Sequence, residues 1–209
     1  MIKLKNINLR FGNKVLFDNL NFHIKQNDKI LISGKSGIGK TTLMQMILGF
    51  SEANSGKIFF KSEKIDRKNI WDIRNKISYV PQNIRFKHLK IELIFQNIFD
   101  LKHNKTISNW IEKLPKLLEF FELDEDILEK NWNDLSGGEK QRISLIIASL
   151  LNRKIFFLDE VTSALDESLK MKTINYFLEK EDSTILMISH DKSWCENNYI
   201  KNFDLEKQI

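Results

Sequence analysis

The chain has 209 residues, 42% of them hydrophobic and 29% charged, which fits one globular domain or a domain with an inserted subdomain and excludes a disordered or fibrous chain. The formal charge of +5 is scattered, with lysines beside acids as in Glu63-Lys64-Ile65-Asp66-Arg67-Lys68 and Glu179-Lys180-Glu181-Asp182, so a mixed-charge solvated surface is expected and a nucleic-acid partner is not. No apolar run nears the roughly 18 residues of a membrane span, no secretory leader opens the chain, and the single cysteine, Cys195, can form neither an internal disulfide nor a thiolate metal site, so a cytoplasmic protein with a reduced thiol is expected.

In chain order, Ile2 and Leu4 alternate with lysines, and Ile7, Leu9 and Phe11 resume the alternation after a one-residue phase change, which predicts a bulged antiparallel strand. A second strand is expected at Leu20 to Ile24. Lys29 to Ser33 then runs into a glycine loop, and Thr42 to Leu48 reads as a buried helix closed by Gly49. Ile77 to Val80 is a short strand stopped by Pro81. From Ile91 to Leu123 the period becomes helical, with Ile107, Trp110, Ile111, Leu114, Leu117, Leu118 and Phe121 in step, and Pro115 either kinks a helix there or begins a second one. Ser136 opens another helix, and Ile155 to Leu158 and Ile185 to Ile188 are apolar strands separated by a helix around Leu169 to Leu178. Such alternation implies a parallel sheet wrapped by helices.

Three segments carry chemistry. Gly34-Lys35-Ser36-Gly37-Ile38-Gly39-Lys40-Thr41, followed by Thr42, fits G-x-x-x-x-G-K-[ST]: glycines let backbone N–H groups turn inward around phosphates at a helix N-terminus. Lys40 would bridge the outer phosphates and Thr41 would hold Mg²⁺. Ile155-Phe156-Phe157-Leu158-Asp159-Glu160 places two carboxylates just past a buried strand, at the edge where open α/β sheets bind ligands. Asp159 suits the Mg²⁺ shell and Glu160 a water, making a hydrolytic site when paired with the phosphate loop. Leu135-Ser136-Gly137-Gly138-Glu139-Lys140-Gln141-Arg142 contains an S-x-x-E capping box, whose plainest meaning is a well-capped helix, but its two glycines leave bare N–H groups beside a serine hydroxyl, which suits a γ-phosphate. A second phosphate contact needs a second nucleotide, and so points to two chains sharing ligands.

Taken together, these motifs resemble those of ABC-type ATPase subunits over almost the whole chain. The P-loop is Gly34 to Thr42, the Q-loop Tyr79-Val80-Pro81-Gln82, the signature Leu135 to Arg142, Walker B Ile155 to Glu160, the D-loop Ser163-Ala164-Leu165-Asp166, and the switch histidine lies in Ile188-Ser189-His190. The resemblance implies an α/β P-loop NTPase of ABC type, with a mainly parallel core sheet, an N-terminal antiparallel β subdomain and an inserted helical subdomain. Residues 1–83 and 134–209 would form the core with its antiparallel part, and 84–133 the helical part. It also implies ATP and Mg²⁺ as ligands, and a homodimer holding ATP between one P-loop and the partner's Leu135, Ser136, Gly137, Gly138 and Glu139. An integral-membrane permease would dock on the helical subdomain near Gln82, at the cytoplasmic face of the inner or plasma membrane.

By the same resemblance Gln82 is a neutral Mg²⁺ ligand and sensor, Lys40, Glu160 and His190 act on the γ-phosphate and its water, and Asp166 belongs to the D-loop. Phe11 stands where the family usually has a tyrosine stacked on adenine, although it also fits the core alternation of its strand. The sequence departs from the common pattern at Ile147, Arg153 and Val161, none of them expected at the phosphates. Leu135 to Leu145, Asp159 to Ser168 and His190-Asp191-Lys192 are similar to small ATPases paired with iron-export (Fet-type) permeases; lipoprotein-release and peptide-export systems are the alternatives for cargo. A chromosome-type ATPase would need a long coiled coil between P-loop and signature, whereas only 52 residues separate Gln82 from Leu135, without sustained heptads. Ribosome-type members usually carry two ATPase units in one chain, and a nucleotide sensor without hydrolysis would be expected to lack Glu160 or His190. Seven aromatics, Phe86, Phe95, Phe99, Trp110, Phe120, Phe121 and Trp132, mark the helical segment; most would form its core and some would frame a permease groove beside Gln82.

Overall fold

Strand β1 (Ile2–Phe11) shows how the phase change works: Asn6 takes a left-handed φ of 51°, and the bulge there lets Ile2, Leu4, Ile7 and Leu9 all face one core. Its partner β2 (Lys14–Ile24) starts at Lys14 and not at Leu20, pairing Phe11 with Lys14 and Leu9 with Phe17 across a tight turn. Adjacent buried residues, Leu16 and Phe17, hide this half of the strand from a search for alternation. Together with β4 (Ser55–Phe60) and β5 (Glu63–Lys64), both unmarked in the sequence reading, they form an antiparallel sheet in the order β2-β1-β4-β5. The structure is a computed structural model, and it describes residues 1–84, 86, 88–190, 192–194 and 199–208. Cys195 and Asp191, singled out above, lie outside the described residues.

The second sheet is parallel, in the order β6-β7-β8-β3-β9, from β6 (Ile77–Val80), β7 (Ile155–Asp159), β8 (Thr184–Ile188), β3 (Lys29–Ser33) and the unforeseen edge strand β9 (Ile200–Asp204). Its central strands are buried on both faces, which is why they read as continuous apolar runs. Period-two alternation divides their side chains between two cores. Ile30, Ile32, Phe157, Leu186 and Ile188 meet the antiparallel sheet and helix α1 (Lys40–Ile47), while Leu31, Phe156, Leu158, Ile185 and Met187 meet α5 (Gly137–Leu150) and α6 (Glu167–Leu178).

After the short helix α2 (Ile70–Arg74), which precedes β6, helix α3 (Ile91–Phe99) and helix α4 (Trp110–Phe120) replace the one long helical pattern between β6 and α5: the chain breaks at 100–109, leaving Ile107 outside either helix. Pro115 lies inside α4, neither at its start nor beyond its end. The aromatics go inward. Phe95, Phe99, Phe121 and Trp132 are buried, Phe86, Trp110 and Phe120 partly so, and Trp110 stacks on Phe99 at 4.7 Å. All belong to the same apolar cluster as Ile143 and Ile146 of α5, so none of the seven is an exposed groove residue, and that expectation is corrected.

Candidate nucleotide site

The phosphate loop begins where β3 ends. Gly39 caps α1 with φ 112°, and a Cβ there would stand 2.9 Å from Phe17 Cζ and 3.0 Å from Leu16 Cδ2, so both conformation and space demand glycine. The turn delivers Lys40 and Thr41 to the first turn of α1. The Lys40 ammonium donates to the carbonyls of Gly34 at 2.7 Å and Lys35 at 3.0 Å, so the loop is curled around it. Thr41 Oγ1 donates to Asp159 Oδ2 at 2.9 Å.

Asp159 closes β7 and is fully buried, and its other oxygen, Oδ1, has no hydrogen-bond partner among the described residues. Burial pushes its carboxyl above the ordinary range, the Thr41 hydrogen bond opposes this, the neighbouring Glu160 carboxylate adds to the rise, and Lys40 offsets part of it. Burial, with the Asp159 charge second, also pushes the Tyr79 phenol up to about 12. An orphaned carboxylate oxygen beside a threonine hydroxyl is a hard oxygen donor set, and its chemistry fits a magnesium ion.

Glu160 follows with a left-handed φ of 52°, uncommon for a residue bearing a side chain, while its N–H donates to the Ile188 carbonyl at the end of β8 at 2.9 Å. Its carboxylate accepts from Gln82 Nε2 at 2.7 Å and lies 3.5 Å from His190 Nε2. These three residues leave the carboxyl ends of β6, β7 and β8, which are adjacent strands, so sheet order brings together side chains far apart in sequence. A groove of about 410 Å³ reaches Gln82 and Glu160, lined also by Phe11, Lys14, Leu16, Ser36, Gly37, Gly39, Lys40, Thr41 and Thr42; His190 meets it through Glu160. Phe11 is 56% exposed at its mouth, which corrects the reading of Phe11 as a core residue.

The signature residues stand apart from this groove. Ser136 caps α5: its Oγ accepts from Glu139 N–H at 3.2 Å while Glu139 Oε2 accepts from Ser136 N–H at 2.7 Å, the full capping box. Those hydrogen bonds hold the Glu139 carboxyl below its ordinary range. Leu135 is buried, and neither it nor residues 136–139 line the Lys40 groove of the same chain. Asp166 caps α6 by accepting from Leu169 N–H at 3.0 Å. Beside Gln82, where an aromatic docking groove was expected, there is instead a small cleft of about 280 Å³ lined by Pro81, Ile84, Lys140, Gln141, Ser144 and Ser163. Another concavity, about 400 Å³, opens at the opposite edge of the parallel sheet near Lys76, Asn104 and Arg153 and holds no motif residue.

The sequence places Gln141 in the signature and Ser163 in the D-loop without a role for either; in the structure both hold the Glu160 carbonyl. Gln141 Nε2 donates to it at 2.9 Å, and Ser163 Oγ donates to it at 2.9 Å.

Comparisons with known proteins show the family and the fold. The family model described as ABC transporter matches residues 17–163. The energy-coupling factor transporter ATP-binding protein EcfA1 of Streptococcus mutans is 33% identical, over 91% of this chain and 70% of its own length. The probable iron export ATP-binding protein FetA of Escherichia coli K12 is 32% identical over 92% and 85%. The Fe(3+) ions import ATP-binding protein FbpC of Fusobacterium nucleatum is also 32% identical, but the chain spans only 52% of it. Among solved structures, the ATP-binding cassette MJ0796, captured as a post-hydrolysis dimer with ADP and Pi, superposes with a TM-score of 0.77 at 24% identity, covering 98% of this chain and 95% of that one. An ATP-binding subunit of an ABC transporter superposes at 0.85 with 20% identity, covering 98% and 86%. These last two likenesses speak for the fold. Together with the family match they place a P-loop, a parallel sheet and an antiparallel sheet in one scheme: the chain belongs to the ABC transporter ATP-binding family, whose members are ATPases.

Proposed function

We propose that two copies of this chain close on two ATP molecules and use their hydrolysis to drive a separate membrane permease from its cytoplasmic side. The observation that carries the reading is a groove lined by Gln82 and Glu160 and by the Lys40–Thr41 helix start, with His190 beside the Glu160 carboxylate. In this scheme Lys40 leaves its carbonyl partners for the outer phosphates, the loop N–H groups line the phosphate chain, and Phe11 offers its exposed ring to the adenine. Asp159, Thr41 and Gln82 would hold Mg²⁺, which when bound neutralises charge on the phosphate oxygens. Glu160 accepts the proton of the attacking water, and His190 orients that water and donates toward the γ-phosphate.

The signature supports the two-chain form. Ser136 and its glycines present a capped helix end outside their own groove, which suits the nucleotide of a second copy. Residues 84–133 form the helical unit in this reading, and the permease docks there beside Gln82. No helix among the described residues is long and apolar enough to cross a membrane, so cargo passage falls to that partner. For the cargo, the signature and Walker B wording resembles iron-export ATPases, and FetA is among the relatives, so metal export is the class we favour. Lipoprotein-release and peptide-export permeases are the competing partners, and identifying the membrane protein that co-purifies with the chain decides among them.

Glu160→Gln tests the hydrolytic assignment. It should keep ATP binding, slow turnover by about 10²- to 10⁴-fold, and accumulate as an ATP-bound dimer in gel filtration. Monomer only, with unchanged hydrolysis, would overturn both the base and the sandwich.

A further inference from the structure

We propose that Gln141, near the start of α5, is a positioning residue that sets the aim of Glu160. The inference rests on the reading of Glu160 as the base. Gln141 makes three hydrogen bonds to one short segment: Nε2 donates to the Glu160 carbonyl at 2.9 Å and approaches Ser163 Oγ at 3.2 Å, and Oε1 accepts from Ala164 N–H at 3.0 Å. Ser163 Oγ in turn donates to the same carbonyl, which therefore receives two donors. Backbone packing reinforces the join. A Cβ on Gly138 would meet the Ala164 carbonyl at 2.9 Å, so glycine there lets the 160–164 turn lie directly against α5.

This bracing acts on a strained residue. With φ at 52°, Glu160 is held in a left-handed conformation that a residue with a side chain keeps only where the surroundings over-determine it. The Ile188 carbonyl fixes its N–H from one side, and Gln141 and Ser163 fix its carbonyl from the other. The peptide is thereby clamped at both ends, and the carboxylate is aimed at Gln82 and His190. Gln82 and Gln141 also face the same small cleft, so both amides approach Glu160 from one side, one at the carboxylate and the other at the backbone. Glu160 is the groove-lining residue to which Gln141 hydrogen-bonds.

The test is steady-state ATPase kinetics of the full chain for Gln141→Ala, Gln141→Met and Gln141→Glu, beside Glu160→Gln. Gln141→Ala and Gln141→Met should lower kcat by about 10- to 100-fold, because a reacting group displaced by an ångström costs that much, while KM for ATP stays within about twofold. Gln141→Glu keeps the acceptor for Ala164 N–H but removes the donor to the Glu160 carbonyl, so its kcat should fall too, again with KM for ATP within about twofold. If Gln141→Ala does not fold, Gln141→Glu carries the same comparison. In a Glu160→Gln background, Gln141→Ala should add no further loss, since the two act through one group. Wild-type kcat in the Gln141 variants while Glu160→Gln is slow overturns the positioning role alone. Unchanged kcat in Glu160→Gln overturns the base assignment instead. Parallel loss of thermal stability and of ATP binding, without the kcat and KM split, reduces Gln141 to a packing residue.

Discussion

Thr41 and Asp159, 118 positions apart, are joined by a hydrogen bond of 2.9 Å, and the second Asp159 oxygen is buried with no donor among the described residues. The pair connects the first turn of α1 to the end of β7, so the phosphate loop and the acidic strand end are one unit before any nucleotide arrives. An unpaired buried oxygen is costly in the free chain and becomes useful when a cation is delivered with ATP.

Asp159→Asn should therefore stabilise the nucleotide-free chain near neutral pH. The folded-state pKa of Asp159 is raised, so the fold binds its proton more tightly than the unfolded chain does, and stability falls as pH rises from the unfolded value through the folded one. Removing the charge should raise Tm by roughly 2–4 °C per kcal/mol recovered. The gain should vanish at acid pH, where wild-type Asp159 is already protonated. With Mg-ATP present the order should reverse. Scanning calorimetry of both proteins at several pH values, with and without Mg-ATP, measures all three effects.

Lys40→Ala and Ser136→Ala should separate. Lys40 lies in the groove beside the phosphate loop, so its loss should weaken nucleotide binding by the monomer. Ser136 caps a helix outside that groove, and its alanine variant should bind nucleotide nearly as wild type does but dimerise poorly with ATP. Losing the cap also costs about 1 kcal/mol of stability. Titration calorimetry of the monomers, with light scattering for association, distinguishes the two; equal losses of monomer affinity would show that both sites serve one nucleotide.

Phe11→Ala should weaken ATP by about 2- to 10-fold, the range expected for one aromatic stack, and leave inorganic triphosphate binding unchanged. Phe11→Tyr should bind ATP as wild type does. Because the ring is 56% exposed, neither change should move Tm appreciably, so a stability loss would return Phe11 to the core. Competition binding of ATP against triphosphate gives the readout.

Arg153→Ala should destabilise the chain by about 1.5–3 kcal/mol, the usual worth of charged hydrogen bonds lost from a partly buried site. Its guanidinium donates to the carbonyls of Arg74 at 3.2 Å and Ile77 at 2.6 Å and to the buried amide of Asn104 at 3.1 Å. It thus ties the turn after α3 to the start of β6, far from the phosphate loop. Urea melts should show the loss with KM for ATP unchanged.

The phosphate loop, the capped signature helix and the apolar strands β3, β7 and β8 were legible in the sequence because each is written in consecutive residues: a glycine spacing, an S-x-x-E box, a run buried on both faces. Even the bulge at Asn6 left its trace as a one-residue slip in alternation. Strands β4, β5 and β9 left none: β5 and β9 are edges, and β4, though paired on both sides, is mostly exposed, so all three carry weak periodicity. That most of the seven aromatics turn inward was expected; that α5 covers them was not, because helical spacing marks a face without saying what covers it. What tertiary structure alone decided is the convergence of Gln82, Glu160 and His190 and the bracing of Glu160 by Gln141. These contacts depend on β6, β7 and β8 being neighbours and on where α5 lies against the turn after β7, and such long-range relations are set by packing two cores at once rather than by any local pattern.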